Sequence, residues 1–199
     1  MPYEPKPLPF QKQVAGTSEK ALQIHHDKLY AGYVSKKNEI STKLEPLSHG
    51  GDVSSTNATY SDLRALKSEE TFATNGVYLH EWYFDLIGGD GTPQGELVEA
   101  LKKEYGSLEN FINYFKACGM AARGWVVLAW DTHDNALRVY SCDTHNHGGV
   151  WGAIPIIVLD VFEHAYFMDY GSDRKTYLED FFKNLNWQTA NNTFTSIKK

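Results

Sequence analysis

Polar and apolar positions change period several times along this chain, and each change marks an element. From Thr17 to Pro46, Leu22, Ile24, Leu29, Tyr30, Tyr33 and Val34 recur at three- and four-residue spacing, the signature of a helix with one buried stripe. Thr17 or Ser18 supplies its N-cap and Glu19 an acidic first turn. His25, Leu29 and Tyr33 fall at i, i+4 and i+8, on one face of an ideal helix. Pro46 breaks the pattern, and the Ser/Gly/Asn-rich residues 48–58 read as a loop. A second helical region starts near Tyr60 and runs, with a break expected, to Ile87. Tyr78, Leu79, Trp82, Tyr83 and Leu86 keep its period around His80, and Gly88-Gly89-Asp90-Gly91 stops it. Two more helices are predicted, near 94–104 and from Ser107 to about Met120. The period then becomes that of strands over Trp125–Trp130, Leu137–Cys142 and Ile154–Leu159, with Thr132-His133-Asp134-Asn135 as a hairpin turn. Helices near 162–170 and 173–184 close the chain, followed by Asn186-Trp187 and a polar tail. Ahead of all this, prolines at 2, 5, 7 and 9 make residues 2–10 an extended arm. The prediction is an α+β fold. An N-terminal arm and helical hairpin occupy 1–88, and a C-terminal α/β region with a three-stranded antiparallel sheet occupies 89–199.

Composition narrows the function classes. At 199 residues and 42% hydrophobic, the chain can bury a sizeable core in one domain or two small ones. A net charge of −6 argues against nucleic acid or an anionic membrane as partner. No apolar run reaches membrane-span length and no signal-peptide core opens the chain, so the expected setting is cytoplasmic or another intracellular compartment. Cys118 and Cys142 are too few for a disulfide framework and read as free thiols.

The chemistry concentrates after the last predicted strand, which delivers Asp160 and, four residues on, His164. A helical turn there sets carboxylate and imidazole on one face, among Phe162, Tyr166 and Phe167. Their burial needs an offset, either a plain Asp–His hydrogen bond or a metal ion. Two antiparallel helices can place His25 and His80 opposite each other, as bundles do when they build metal sites. A single histidine on an apolar helix face is more often a satisfied core residue than a ligand. Three histidines and one aspartate from separate elements, each flanked by aromatics, favour the metal. Imidazole-rich ligation with one carboxylate suits iron, manganese or zinc, and not magnesium or calcium.

In order and spacing, Leu8-Pro9-Phe10, the His25–Val34 helix, Leu79-His80-Glu81-Trp82-Tyr83, Gly124-Trp125 and Asp160-Val-Phe-Glu-His-Ala-Tyr166 resemble the motifs of iron/manganese superoxide dismutases, over essentially the whole chain. The last motif is highly specific. The resemblance implies one Fe or Mn ion per subunit, bound by His25, His80, Asp160 and His164 between the two parts, with a solvent molecule in a fifth position. It implies superoxide as substrate and disproportionation to oxygen and hydrogen peroxide. Tyr33 matches a tyrosine that gates the substrate channel, and Lys28 and Arg174 match basic residues near its mouth. Glu163 matches a glutamate that reaches across a dimer interface, so a homodimer or dimer of dimers is expected. Tyr83, Phe84, Trp125 and Phe162 are expected to wall the metal cage. Leu29 and Phe167 depart from the pattern: the family usually carries a hydrogen-bonded histidine–tyrosine pair there. The family also supplies a glutamine beside the metal's solvent from one of two positions. One is Gly76 here; the other falls near His145, with Asn146 and His147 as alternatives. Two rival readings remain: a non-haem iron oxygenase, which would use a three-residue facial triad, and a redox-silent zinc protein.

Overall fold

The computed structural model describes residues 2–10 and 14–197. Ser18 caps the first helix, α1 (Glu19–Ile24), its Oγ accepting from the Ala21 N–H at 3.2 Å. The chain then winds as a π-helix over His25–Tyr30 before returning to α-helix in α2 (Ala31–Ser48). This corrects the expected His25–Leu29–Tyr33 stripe. The wider turn carries about one extra residue, so Tyr30 is the fully buried partner of His25 and Leu29 is only half-buried. Pro46 does not end the helix, which continues to Ser48. Nor does the next one break: α3 (Asp62–Leu86) runs unbroken for 25 residues, capped by Ser61. Its interior Gly76 is explained by packing, because a Cβ there would lie 2.8 Å from Cδ1 of Tyr33. α2 and α3 pack as a hairpin.

The arm 2–10 lies extended on this hairpin. The Tyr3 N–H donates to Asn38 Oδ1 and Asn38 Nδ2 donates back to the Tyr3 carbonyl, both at 2.8 Å. The hydroxyls of Tyr3 and Tyr30 and the ammonium of Lys6 all donate to the buried Glu81 carboxylate, at 2.5–2.9 Å for the shortest contacts.

After Gly88–Gly91, α4 (Glu96–Tyr105) and α5 (Leu108–Ala121) lead into a sheet of β1 (Trp125–Asp131), β2 (Ala136–Cys142) and β3 (Ala153–Asp160), antiparallel in the order β2-β1-β3. The central strand is buried over Trp125–Ala129, which is why its sequence shows a continuous apolar run without alternation. Pro155 sits on the edge strand where the register shifts between Leu128 and Ala129, a position that needs no ladder donor. α6 (Glu163–Tyr170) and α7 (Arg174–Asn184) follow. The expected polar tail is instead a helix, α8 (Trp187–Ile197). Its buried residues Trp187, Ala190 and Phe194 stand at i, i+3 and i+7 and pack toward α4 and β3. The Gln, Thr and Asn residues between them dilute that stripe in the sequence.

Candidate metal centre

Four side chains converge between the hairpin and the sheet. His25 opens the π-helical turn, His80 lies on α3, Asp160 ends β3 and His164 lies in the first turn of α6. One donor atom from each lies within 4.8 Å of all the others. The Nε2 atoms of His164, His25 and His80 stand 3.1, 3.2 and 3.5 Å from the same oxygen, Oδ2 of Asp160. His25, His80 and Asp160 are buried, and His164 retains 27% side-chain exposure.

The protons decide what this cluster can be. His80 Nδ1 lies 2.5 Å from the Gly76 carbonyl, an oxygen that only accepts, so Nδ1 carries the proton and Nε2 presents a bare lone pair. That Nε2 has no hydrogen-bond partner among the described residues. It cannot donate to Asp160, and one carboxylate oxygen cannot satisfy three imidazoles. A plain Asp–His hydrogen bond therefore leaves the cluster frustrated, whereas a cation would be met by four lone pairs. The donor set fits such an ion. Four convergent donors also exceed a facial triad.

The electrostatics agree. Burial lowers His25 and takes His80 down to about 3, holding both imidazoles neutral, as ligands must be. Burial would raise Asp160, but hydrogen bonds and charge from His164 and His25 outweigh it, and the carboxylate stays ionised. Burial likewise opposes protonation of His164, yet the Asp160 hydrogen bond and charge raise it on balance. The other Asp160 oxygen, Oδ1, accepts from the Phe162 N–H at 2.9 Å, and its backbone carbonyl accepts from the Tyr177 hydroxyl at 2.8 Å.

Around the donors stand the aromatic rings. Tyr83 and Phe84 lie 5.4 and 5.3 Å from His25, Trp125 lies 5.1 Å from His80, and Phe162 stacks on His164 at 5.4 Å. Tyr33 lies 5.3 Å from His80 and 4.6 Å from His145. His145 is buried at 4% exposure, while Asn146 and His147 face outward, so His145 is the loop residue that reaches the site. Trp125 Nε1 donates to His145 Nδ1 at 2.9 Å. The proton of the neutral His145 ring therefore sits on Nε2, a buried donor with no partner among the described residues. Three expected residues stand outside the cluster. Lys28 and Glu163 are exposed, and Arg174 is anchored by donating from Nε to the Tyr166 hydroxyl and from Nη1 to the Ala122 carbonyl. The sequence reading missed Phe72, 4.6 Å from His145, and the orienting carbonyl of Gly76. The i, i+4, i+8 spacing of Phe72, Gly76 and His80 could have found them.

A family model described as iron/manganese superoxide dismutases, C-terminal domain, matches residues 93–193. Superoxide dismutase (Fe) of Aquifex pyrophilus is 40% identical, over 98% of this chain and 92% of that protein. The chain belongs to the iron/manganese superoxide dismutase family. Superoxide dismutase (Mn) 1 of Halobacterium salinarum is 35% identical over 96% of this chain and 94% of its own length. Superoxide dismutase (Fe) of Cupriavidus metallidurans is 36% identical, over 98% of each. Relatives named for each metal thus match nearly end to end, and the cofactor is iron or manganese.

Proposed function

We propose that this chain disproportionates superoxide to oxygen and hydrogen peroxide at one iron or manganese ion held by His25, His80, His164 and Asp160. The observation that carries the ligand set is the convergence of three Nε2 atoms on one Asp160 oxygen, with a lone pair of His80 unclaimed. Iron or manganese supplies the reversible one-electron step that zinc lacks. The chain's residues do the rest. The Gly76 carbonyl and the Phe162 N–H fix the orientation of His80 and Asp160, and so the field at the ion. The His145 Nε2–H is an inward donor, and Tyr33 stands beside it with a phenol kept protonated by burial and by the Asp160 charge. Tyr33 and His145 thus hold the protons that peroxide formation consumes. Tyr83, Phe84, Trp125 and Phe162 keep bulk water out.

Lys28 and the anchored Arg174 offset the net charge of −6 where the anion enters. The working unit is an isologous dimer in which Glu163 reaches His164 of a second copy. Glu163 is exposed, His164 is partly open, and Phe167 and Met168 on the same helix are 55% and 49% exposed. Apolar Leu29 and Phe167 leave neither partner of the family's polar pair stranded. Residues 1–88 and 89–199 act as two units that share the site. Free Cys118 and Cys142 suit a reducing intracellular compartment, and among the described residues no helix is long and apolar enough to cross a membrane.

Reconstitution of the purified apoprotein with iron, manganese or zinc, followed by superoxide consumption, tests this. Activity with iron or manganese and none with zinc is expected. Silence with both redox metals overturns the proposal.

A further inference from the structure

A line of phenols whose hydroxyls the dismutation chemistry does not use leads away from the metal centre. Tyr83 packs on His25 at 5.4 Å between ring centroids. Its hydroxyl lies 3.3 Å from that of Tyr177, which donates its own proton to the Asp160 carbonyl, so Tyr83 is the donor of that pair. Tyr177 meets Tyr170 at 5.6 Å, and the Tyr170 hydroxyl donates to Asp180 Oδ2 at 3.0 Å. Tyr83, Tyr177, Tyr170 and Asp180 line one cavity of about 10 Å³, the size of a single water. Tyr83 and Tyr177 are buried, whereas Tyr170 and Asp180 are partly open. The Gly16 backbone lies close against the Tyr170 hydroxyl. A Cβ on Gly16 would fall 1.9 Å from the Tyr170 hydroxyl, and its φ of +79° also favours glycine.

We infer that Tyr83, Tyr177 and Tyr170 form a hole-transfer path that carries oxidising equivalents from the metal centre to the Tyr170–Asp180 pair. The inference rests on the proposed function only for the presence of a redox metal and of peroxide, the product made beside it. Peroxide reduced to two waters takes two electrons and two protons. One electron comes from the reduced ion, which is thereby oxidised. In an unprotected centre the second comes from a ligand imidazole or a nearby ring. Here Tyr170 gives it, passed inward through Tyr177 and Tyr83, and becomes a neutral tyrosyl radical. Its phenolic proton moves to Asp180 and is held there, and both protons that the two waters take up come from solvent.

Two features send the hole to Tyr170 and not elsewhere. A phenol loses an electron far more readily when a base takes its proton in the same step, and Asp180 is that base. Tyr166 also stacks on Tyr177, at 5.2 Å, but the Arg174 guanidinium lies 5.4 Å over its ring and donates to its hydroxyl. That cation opposes removal of an electron. The partly exposed Tyr170 can then be re-reduced by small reductants from solution.

The test exposes iron-loaded parent, Tyr170→Phe and Asp180→Asn proteins to hydrogen peroxide. It reads the tyrosyl radical by freeze-quench electron paramagnetic resonance and the oxidised residues by peptide mass spectrometry. Superoxide consumption before peroxide is assayed on the same samples, so failure of the dismutase reading shows separately. The parent should give a radical and oxidation at Tyr170. Tyr170→Phe should lose that radical, shift oxidation to the ligand histidines and Trp125, and inactivate several-fold faster, with initial dismutation unchanged. Asp180→Asn should lower the radical yield while keeping the ring. The same radical yield and oxidation map in parent and Tyr170→Phe, or no radical in the parent, would overturn the path.

Discussion

At the scale of single residues, Gly76 shows how two opposed effects are weighed. Alanine in mid-helix gains about 1 kcal/mol over glycine. The new Cβ, however, would sit 2.8 and 2.9 Å from Cδ1 and Cγ of Tyr33, atoms near the root of a ring that cannot swing clear. Overpacking of that kind costs about 1–3 kcal/mol, so the clash wins. Gly76→Ala should keep its metal but melt lower and dismute more slowly, because Tyr33 is pushed from its place beside His145; metal analysis and a thermal melt check it. His145 supports a prediction in pH. Burial pushes its imidazole down to about 4, against 6.5 when exposed. As pH falls from 6.5 toward 4, the unfolded chain takes up a proton that the folded chain refuses. The stability due to the neutral ring is complete above 6.5 and is lost through that window. In the metal-free protein, His145→Gln should flatten the acid loss by up to one proton's worth, about 1.4 kcal/mol per pH unit. Urea unfolding of both proteins between pH 6.5 and about 4 measures it, and parallel pH curves for the two would refute it.

At the scale of elements, the π-helical turn His25–Tyr30 sets the site's geometry. Its extra residue rotates His25 by about 100° relative to α2, one residue's turn of an α-helix. Deleting exposed Asp27 lets the segment close as ordinary α-helix, at little cost in packing. His25 should then leave the cluster while α2 and Tyr33 stay. The expected outcome is a folded protein with native-like helicity and lost metal retention, checked by circular dichroism and metal content. This element also marks how far the sequence could be read. Ligand types, the strand before Asp160 and the Asp160–His164 spacing are all visible as patterns, because burial leaves a periodic trace. A π-turn leaves none: it differs from an α-helix by one residue in phase, and His25, Leu29 and Tyr33 look equally coherent as an i+4 stripe. Likewise, α8 is hidden because only Trp187, Ala190 and Phe194 of its residues are buried, and tertiary contact decides their state. The His80 tautomer is set locally, by Gly76 four residues back, but the shared Asp160 oxygen and the tautomer of His145 depend on contacts across distant segments, and no local pattern carries them.

At the scale of the whole molecule, an ion held by the four proposed donors would add a further tie between parts of the chain that already meet through packing and through hydrogen bonds such as that from the Ala15 N–H to Asn184 Oδ1. His25 and His80 belong to the hairpin, Asp160 and His164 to the segment leaving the sheet, and α3 packs directly on β3. Binding to the folded chain alone stabilises it by about 2.7 kcal/mol when free metal is a hundredfold above Kd. For a chain of this size, each kcal/mol moves Tm by about 2–4 °C, so holo and chelated protein should differ by roughly 5–10 °C at that excess. The unfolded state binds some metal through its histidines, which trims the difference but does not reverse it. His80→Ala removes a lone pair that nothing else among the described residues claims. It should therefore melt near the chelated parent and gain little from added iron or manganese. The contrast separates a shared site from a surface one. If His80 merely filled the core, His80→Ala would lower the holo and chelated melting points equally and leave their gap intact. If the ion joins the two parts as the four donors indicate, the gap itself closes, and calorimetry of parent and variant with and without chelator reads it directly.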